Sequence, residues 1–493
     1  MSRDPSEAPE KSDAVVVLGK PGNAVVTPAD SVEGRTQTAN GNPNQGNASR
    51  AQDRELALTK LDWVGKKARA NKDEKFTSLL GHLKVPLLEE AYSRLRKYAA
   101  TGVDQVDWET YGRDLPARLI DLQDRIHRGS YHPLPVRRVH IPKPDGRTRP
   151  LGIPALEDKI VQQAVKMVLE QIYEPAFLGC SYGFRPGRSQ HDALDALAVA
   201  LDKRVNWVLD ADIRSFFDTI DHGWMKKFIE HRIADSRLVR LLMKWLHAGV
   251  MEEGKLCEVT EGTPQGGIIS PLLANIYLHY ALDLWVTSWR KKPGHGDVYF
   301  VRYADDFVMG FQYEQDARAM RSALVERLAK FALELHPEKT RVIRFGRFAQ
   351  EDCHRDGRTR PETFDFLGFT HIAGKNRIGR YRLRRRTSRK KRNAKLATLS
   401  EEIRRRAHEL VGTQHKWLCS VVRGHYRYYG VPGNYHALES FRRNIETHWH
   451  RRLQHRSQRA RWNKAERIAF QDRWPLTPAR ITHPWPRERF ERR

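Results

Sequence analysis

Two pairs of aspartates lie inside apolar surroundings. Asp305 and Asp306 separate the apolar runs at 298–301 and 307–311, while Asp210 and Asp212 lie near the end of another apolar run. Buried carboxylates are costly unless water, donors or cations compensate. An exposed turn explains Asp305 and Asp306 in isolation, but it does not explain the second acid-bearing run. If both runs are neighbouring strands, their acids form a cluster of hard oxygen ligands that suits Mg²⁺.

Such a cluster favours one kind of chemistry. A pair of divalent ions held by carboxylates activates an attacking hydroxyl and stabilises the leaving group of an in-line phosphoryl displacement. In nucleotidyl transfer, the hydroxyl is the primer 3′-hydroxyl and the leaving group is pyrophosphate. The acids therefore fit phosphoryl transfer in general, and a template-copying nucleic-acid polymerase is one class of enzyme that uses them.

The elements that must position these acids alternate between helix and strand. Prolines and β-branched residues over 133–154 predict a basic β-hairpin, and Pro144-Asp145-Gly146 predicts its turn. Hydrophobic periodicity predicts the other elements. Strands are expected over 205–213, 298–311, 341–346 and 364–371, with helices over 156–175, 190–203, 222–250, 270–285 and 315–335. Arg-rich helices are expected beyond 373, so the predicted fold class is α+β.

The composition indicates a polyanionic partner. The 493 residues carry a formal net charge of +27, and residues 381–493 hold 30 Lys and Arg against nine Asp and Glu. Arginines and aromatic residues interleave there, which suits phosphate binding and stacking on unpaired bases, although helical solvent faces and core aromatics are the alternative. No Cys-x-x-Cys pair, signal peptide or membrane-length apolar run occurs. We therefore expect no zinc-anchored nuclease module, no membrane partner and a bacterial cytoplasmic location.

Several motifs, taken in order, resemble those of the reverse transcriptases encoded by group II introns, which double as splicing maturases. The resemblance covers roughly residues 55–486. It rests on the hairpin sequence at 138–154, Ser-Tyr-Gly-Phe-Arg-Pro-Gly-Arg-Ser at 181–189, Ala-Asp-Ile-Arg-Ser-Phe-Phe-Asp at 211–218, Thr-Pro-Gln-Gly-Gly at 263–267, Tyr-Ala-Asp-Asp at 303–306 and the maturase motif at 422–430. One departure is Gln105, where the family commonly has glycine; a positive φ there would strain that turn.

The resemblance implies a right-hand polymerase with fingers and an antiparallel palm sheet, followed by an all-helical thumb. The expected segments are a disordered tail over 1–52, fingers over 53–203, a palm over 204–372, a helical thumb and maturase domain over 373–465, and a basic segment over 466–493. An HNH endonuclease domain is not expected.

The resemblance also assigns roles to residues. It selects Asp212 over Asp210 as the first ligand, because the aromatic residue that blocks a sugar 2′-hydroxyl follows five positions later, at Phe217. The catalytic and metal-binding residues are then Asp212, Asp305 and Asp306, with two Mg²⁺ ions or Mn²⁺ as a substitute. The other expected nucleotide-binding residues are Lys143, Arg149, Gln265 and Lys339. The expected RNA- and primer-binding residues are Arg185, Phe366, Gly368, Arg384, Arg385, Arg423, Tyr428 and Tyr429.

The function that the resemblance implies is RNA-directed DNA polymerisation combined with assistance to splicing and mobility of a parent intron. The expected partners are structured intron RNA, an RNA template, a DNA or RNA primer and deoxynucleoside triphosphates. Two alternatives remain open at this point. One is an RNA-binding splicing cofactor with an idle polymerase, and the other is a relative recruited to defence or CRISPR-type spacer acquisition.

Overall fold

The computed structural model describes residues 43–142, 148–252, 255–257, 262, 266–292, 296–376, 378–456 and 462–491, with only the backbone described at 43–50, 255–257 and 489–491. The described chain mixes helices with mostly antiparallel sheets. Lys143 and Gln265, two expected nucleotide-binding residues, lie outside the described residues, as does the predicted turn at 144–146.

Helices dominate the first third of the described chain. They are α1 (Pro43–Ala70), α2 (Val85–Ser93), α3 (Trp108–Gly112), α4 (Leu115–Arg128), α5 (Leu156–Tyr173) and α6 (Gln190–Leu201). Helix α1 corrects the predicted disordered tail, because residues 43–52 are helical. Residues 48–52 are mostly good helix formers, and extending a helix costs far less than nucleating one. Gln105 has a φ of 57°, so the residue that replaces glycine occupies the left-handed region.

The predicted basic hairpin is present. Strands β1 (Val136–Pro142) and β2 (Thr148–Ile153) pair in antiparallel register, and Ile141 lies opposite Arg149. Two short strands, β4 (Val250–Glu252) and β5 (Lys255–Cys257), extend the sheet in the order β2-β1-β4-β5, with β1 and β4 parallel. Arg149 lies on the exposed part of this hairpin.

A four-stranded antiparallel sheet forms the centre of the described chain. Its order is β6-β7-β3-β8, made from β3 (Trp207–Asp212), β6 (Val298–Tyr303), β7 (Asp306–Phe311) and β8 (Arg341–Arg344). The helices that complete this region are α7 (His222–Glu230), α8 (Ser236–Leu246), α9 (Ser270–Leu278), α10 (Leu284–Trp289), α11 (Glu314–Ala329) and α12 (Ala349–Arg355). A π-helical turn, His279–Asp283, joins α9 to α10.

The two faces of the central sheet bury different cores. Leu209 and Ala211 belong to a large core that also contains residues from α1 to α5, while Val208 and Val308 belong to a second core that includes α6. Because strand side chains alternate between faces, Asp210 and Asp212 lie on the same face as Val208. The larger core takes residues from both sides of the predicted boundary at 203 and 204.

A three-stranded antiparallel sheet corrects the predicted all-helical segment beyond 373. Strands β9 (Thr363–Phe366), β10 (Phe369–Lys375) and β11 (Tyr381–Thr387) lie in the order β11-β10-β9. In β11, Leu383, Arg385 and Thr387 are less exposed than the intervening arginines Arg384 and Arg386. This period of two is typical of a strand. It could not be seen in the sequence, because arginine occupies both inward- and outward-facing positions.

Helices make up the remainder of the described chain. They are α13 (Arg389–Arg405), α14 (Val411–Tyr429), α15 (Tyr435–Gln454), α16 (Lys464–Arg473) and α17 (Pro486–Glu491). Their core buries Trp449, whose indole N–H donates to Gln414 at 2.8 Å, so this tryptophan does not stack on bases. Throughout the described ranges, no helix combines the length and apolar character needed to cross a bilayer.

Candidate active site

The three predicted catalytic aspartates lie together at one end of the central sheet. In the antiparallel register of β3 and β7, Asp212 lies directly opposite Asp306. Strands β6 and β7 form a hairpin in which Tyr303 pairs with Asp306, so Ala304 and Asp305 form a two-residue turn. Ala304 has a φ of 57°, which is uncommon for a residue other than glycine. The turn therefore places Asp305 at the tip, next to the facing pair.

Burial and mutual repulsion act on these carboxyl groups. Burial raises the pKa of Asp306 well above its usual range, and the neighbouring charges of Asp210, Asp212 and Asp305 raise it further. Burial and Asp212 also raise the pKa of Asp305. The pKa of Asp210 is raised to about 6, chiefly by burial, although Arg341 opposes the shift. Like charges directly opposite on a sheet are destabilising, so this cluster favours added positive charge.

Within the described ranges, no three His, Cys, Asp or Glu side chains are arranged so that they could hold a metal ion as they stand. The hard carboxylate oxygens of the facing aspartates and of Asp305 nevertheless suit a divalent cation, whose charge would offset the burial and the repulsion that raise the pKa values of Asp305 and Asp306. The residues present therefore fit the expected cation chemically.

Lys339 provides positive charge at the first aspartate. Its ammonium group donates a hydrogen bond to Asp212 Oδ2. Backbone hydrogen bonds hold the segment that precedes Lys339 against the end of β3. The His336 N–H donates to the Asp212 carbonyl at 2.8 Å, and the Arg214 N–H donates to the Glu334 carbonyl at 2.8 Å. The structure thus brings the predicted Lys339 into the cluster.

Arg149 and Phe217 approach the same end of the sheet from other elements. Burial raises the pKa of Asp305, and the positive charge of Arg149 partly opposes that rise, so the basic hairpin acts electrostatically on this aspartate. Phe217 lies in a 3₁₀ turn, Phe216–Asp218, immediately after Ser215, whose φ is 46°. Its ring is half-buried and packs edge-on against Phe216 at a centroid distance of 5.4 Å.

Arg302, which sequence reasoning missed, lies behind the two-residue turn of Ala304 and Asp305, the predicted catalytic turn. Its guanidinium forms a fully buried ion pair with Asp283 and donates to the carbonyl of Ala304 at 2.9 Å. An arginine within the otherwise apolar run at 298–303 was the available signal, because a buried charge requires a partner. The sequence did not identify Asp283 as that partner.

Two predicted RNA contacts are instead interior ion pairs. Arg385 is buried and bonds Asp195 of α6 at 2.7 Å. Arg185 is also buried; it bonds Glu174 at 2.7 Å and donates to the carbonyls of Leu178 and Ser181. Both guanidiniums are buried and ion-paired, so they do not face phosphates, and these two assignments are corrected to structural roles.

The predicted primer-binding turn joins β9 to β10. Leu367 and Gly368 have φ values of 48° and 81°, as a tight two-residue hairpin turn requires. Phe366 is buried in the core, so its ring is corrected from a primer contact to a packing residue. Tyr428 donates to the Leu367 carbonyl at 2.8 Å. Tyr429 packs close to Gly368, since a Cβ added to this glycine would lie 3.0 Å from the Tyr429 hydroxyl.

The remaining predicted RNA-binding arginines are exposed. Arg384 lies on the open side of β11, where it donates to the Lys375 carbonyl at 2.7 Å, and Arg423 lies on the exposed side of α14. Residues 474–483 pack against α14, where the backbone N–H groups of Thr482 and His483 donate to the Gly430 carbonyl at 2.8 and 3.0 Å. The C-terminal segment is therefore partly packed onto the preceding helices.

Comparison with known proteins agrees with this geometry. Residues 141–371, which contain the three aspartates, match the family described as reverse transcriptase (RNA-dependent DNA polymerase). The chain is 36% identical over 319 residues to protein YkfC of Escherichia coli K12, an alignment that covers 57% of this chain and 78% of YkfC.

Two other relatives have names that refer to introns. The group II intron-encoded protein LtrA of Lactococcus lactis is 38% identical over 234 residues, which cover 47% of this chain and 39% of LtrA. The nuclear intron maturase 3, mitochondrial, of Arabidopsis thaliana is 27% identical over 180 residues, or 32% of this chain and 25% of that protein. The alignments thus span well under half of either intron protein. The chain belongs to the family of group II intron reverse transcriptases and maturases.

Proposed function

We propose that this protein is an RNA-directed DNA polymerase that also binds a parent group II intron RNA and assists its splicing and mobility. The observation that carries the polymerase proposal is the register of β3 and β7, which sets Asp212 opposite Asp306, with Asp305 on the adjoining turn. Three carboxylates contributed by β3, β7 and the turn between β6 and β7 are suited to holding the metal ions of nucleotidyl transfer.

In this proposal, Asp212, Asp305 and Asp306 would hold Mg²⁺, or Mn²⁺ as a substitute. When bound, these ions would favour ionisation of the primer 3′-hydroxyl and stabilise the charge of the leaving pyrophosphate. The residues of the chain hold and orient the reactants. The three aspartates are half-buried, which restricts the water around their carboxylates and strengthens the local electrostatic interactions.

The deoxynucleoside triphosphate is proposed to lie between the aspartates and the basic hairpin. Arg149 and Lys143 bind its phosphates, and Gln265 packs on the new base pair. Phe217 excludes a ribose 2′-hydroxyl, so deoxynucleotides are the preferred substrates. Lys339 bonds Asp212 in this structure and would have to release that carboxylate for it to hold a cation. The lysine is proposed to lie near the leaving pyrophosphate. Its ammonium group can then donate a proton to the leaving group.

The wider arrangement is proposed to be a right hand, with fingers over 53–203, a palm over 204–372 and a thumb and maturase domain over 373–465. The exposed arginines of β11 and α14, including Arg384 and Arg423, support binding of template RNA and intron RNA. Tyr428 and Tyr429 brace the turn at Gly368, which is proposed to contact the primer.

Primer extension tests the polymerase proposal and the choice of first ligand together. The assay contains purified protein, a DNA primer on an RNA template, deoxynucleotides and Mg²⁺. We expect Asp212→Asn to reduce extension to background, while Asp210→Asn, the same change two residues earlier on the same face, retains extension. If both variants extend like the wild type, the assigned site does not perform the reaction.

A further inference from the structure

The guanidinium of Arg302 is fully buried and uses every N–H that it has. Two N–H groups donate to the carboxylate of Asp283 at 2.7 and 2.5 Å, and a third donates to Ser181 Oγ at 2.8 Å. The remaining two donate to Asn275 Oδ1 at 3.1 Å and to the Ala304 carbonyl at 2.9 Å. All five donors of an arginine are thus satisfied inside the protein.

These bonds join two other segments to the turn that carries Asp305: the loop at Ser181 and the continuous helical stretch that contains Asn275 and Asp283. Asp283 is the last residue of the π-helical turn His279–Asp283, a type of irregularity that often occurs at functional sites. Asn275 links Arg302 to the backbone at Gly183, because its side-chain N–H donates to the Gly183 carbonyl at 2.7 Å. The backbone at Gly183 lies so close that a Cβ there would be 2.3 Å from the Ala304 nitrogen.

Stability alone does not account for this arrangement. A buried ion pair often contributes little more to stability than well-packed apolar side chains of the same volume. The chain contains another buried pair, Arg385 with Asp195, and among the described residues that arginine forms no hydrogen bond to the catalytic turn. Arg302 differs because one of its N–H groups donates to the carbonyl of Ala304, the residue immediately before Asp305.

We propose that Arg302 is a positioning residue for the metal-binding aspartates. Held by Asp283, it fixes the carbonyl of Ala304 and thereby the orientation of the turn, so that Asp305 meets the facing pair with its carboxylate already in place. The inference rests on the proposed function insofar as these aspartates bind divalent cations. An arginine is required because a lysine has three donors on one nitrogen and cannot reach all four partners from one position.

The test separates positioning from folding with matched variants. R302K keeps the charge but not the planar fork, and R302M/D283L replaces the whole ion pair with apolar side chains. The controls R385K and R385M/D195L make the same changes in the other buried pair. D306N serves as the variant that lacks a metal-binding carboxylate.

Three quantities are measured on the full chain. They are the Kd for Mn²⁺, from the electron paramagnetic resonance signal of the free ion, the midpoint of thermal unfolding, and kcat and KM for primer extension on RNA. Loss of a group that orients metal ligands typically weakens metal binding by about 10- to 100-fold. We expect a loss of this size in Mn²⁺ affinity and in kcat for R302K and R302M/D283L, with KM for primer-template unchanged. Both R385 controls should retain the wild-type Mn²⁺ affinity, even where their unfolding midpoint falls.

The inference is overturned if R302K and R302M/D283L bind Mn²⁺ as tightly as their R385 counterparts. If the double variant does not fold, R302K decides the question, because it keeps a positive charge opposite Asp283. A wild-type protein whose Mn²⁺ binding depends on Asp306 and Arg302 but that extends no primer would refute the proposed polymerase and leave this inference standing.

Discussion

Replacing Gly183 with alanine should move the catalytic turn without removing any functional group. A Cβ at this position would lie 2.3 Å from the nitrogen of Ala304 and 3.0 Å from the carbonyl carbon of Tyr303. Both are backbone atoms, so no rotamer change relieves the clash. Non-bonded contacts have their optimum at about 3.5 Å or more, so the turn must retreat by about 1 Å.

The expected loss of activity follows from that displacement. A misplacement of about 1 Å at a reacting centre costs about 10²-fold in rate, while overpacking costs about 1–3 kcal/mol of stability. We therefore expect Gly183→Ala to lower kcat for primer extension on RNA by about 10²-fold, with the protein still folded.

The assay measures initial rates at saturating primer-template and Mg²⁺, alongside thermal unfolding. Gly81→Ala is the matched control, because nothing lies within 4 Å of a Cβ at that position, and it should extend like the wild type. If Gly183→Ala extends within about twofold of the wild-type rate, the close approach does not hold the turn and the reasoning is refuted.

Three further predictions concern charge and shape. Because the pKa of Asp306 is raised in the folded protein, charging this group opposes folding as the pH rises above about 3.9, the ordinary value. Asp306→Asn should therefore raise the free energy of unfolding at pH 8 in EDTA, with the gain vanishing near pH 3; urea unfolding across pH measures this, and an equal gain at both pH values would contradict it. Phe217→Ala should let ribonucleotides extend a primer, as a comparison of dNTP and rNTP incorporation shows, and unchanged discrimination would exclude this ring as the sugar gate. Asp195→Ala leaves Arg385 as an unpaired buried charge and should cost about 3–5 kcal/mol in urea unfolding, whereas a change near zero would mean that the pair is solvated.

The clustering of the predicted catalytic aspartates could be foreseen because its physical signal is local. Acids within apolar runs are rare enough to indicate strand ends at a functional cluster, and the structure places Asp212 opposite Asp306. The basic hairpin was predictable for a similar reason, since prolines and β-branched residues define it within twenty residues. In both cases, the residues that carry the signal are neighbours along the chain.

The network behind the catalytic turn was not predictable because its signal is non-local. Arg302 and Asp283 stand 19 positions apart, and only the three-dimensional fold pairs them. The same limit applies to Arg385, which contacts Asp195 at a separation of 190 residues and which the sequence predicted to bind RNA. An arginine-rich segment contains both solvent-facing and interior side chains, and the alternation of β11 distinguishes the two.

The most direct test of the central claim compares the wild type with Asp305→Ala in two assays on one RNA template annealed to a DNA primer. The first assay follows extension with deoxynucleotides and Mg²⁺, and the second follows binding of the same primer-template. We predict that the wild type synthesises DNA and that Asp305→Ala does not, although both bind the primer-template equally. Equal extension by the two proteins, whether efficient or at background, would contradict the assignment of the aspartates at 212, 305 and 306 as a polymerase site.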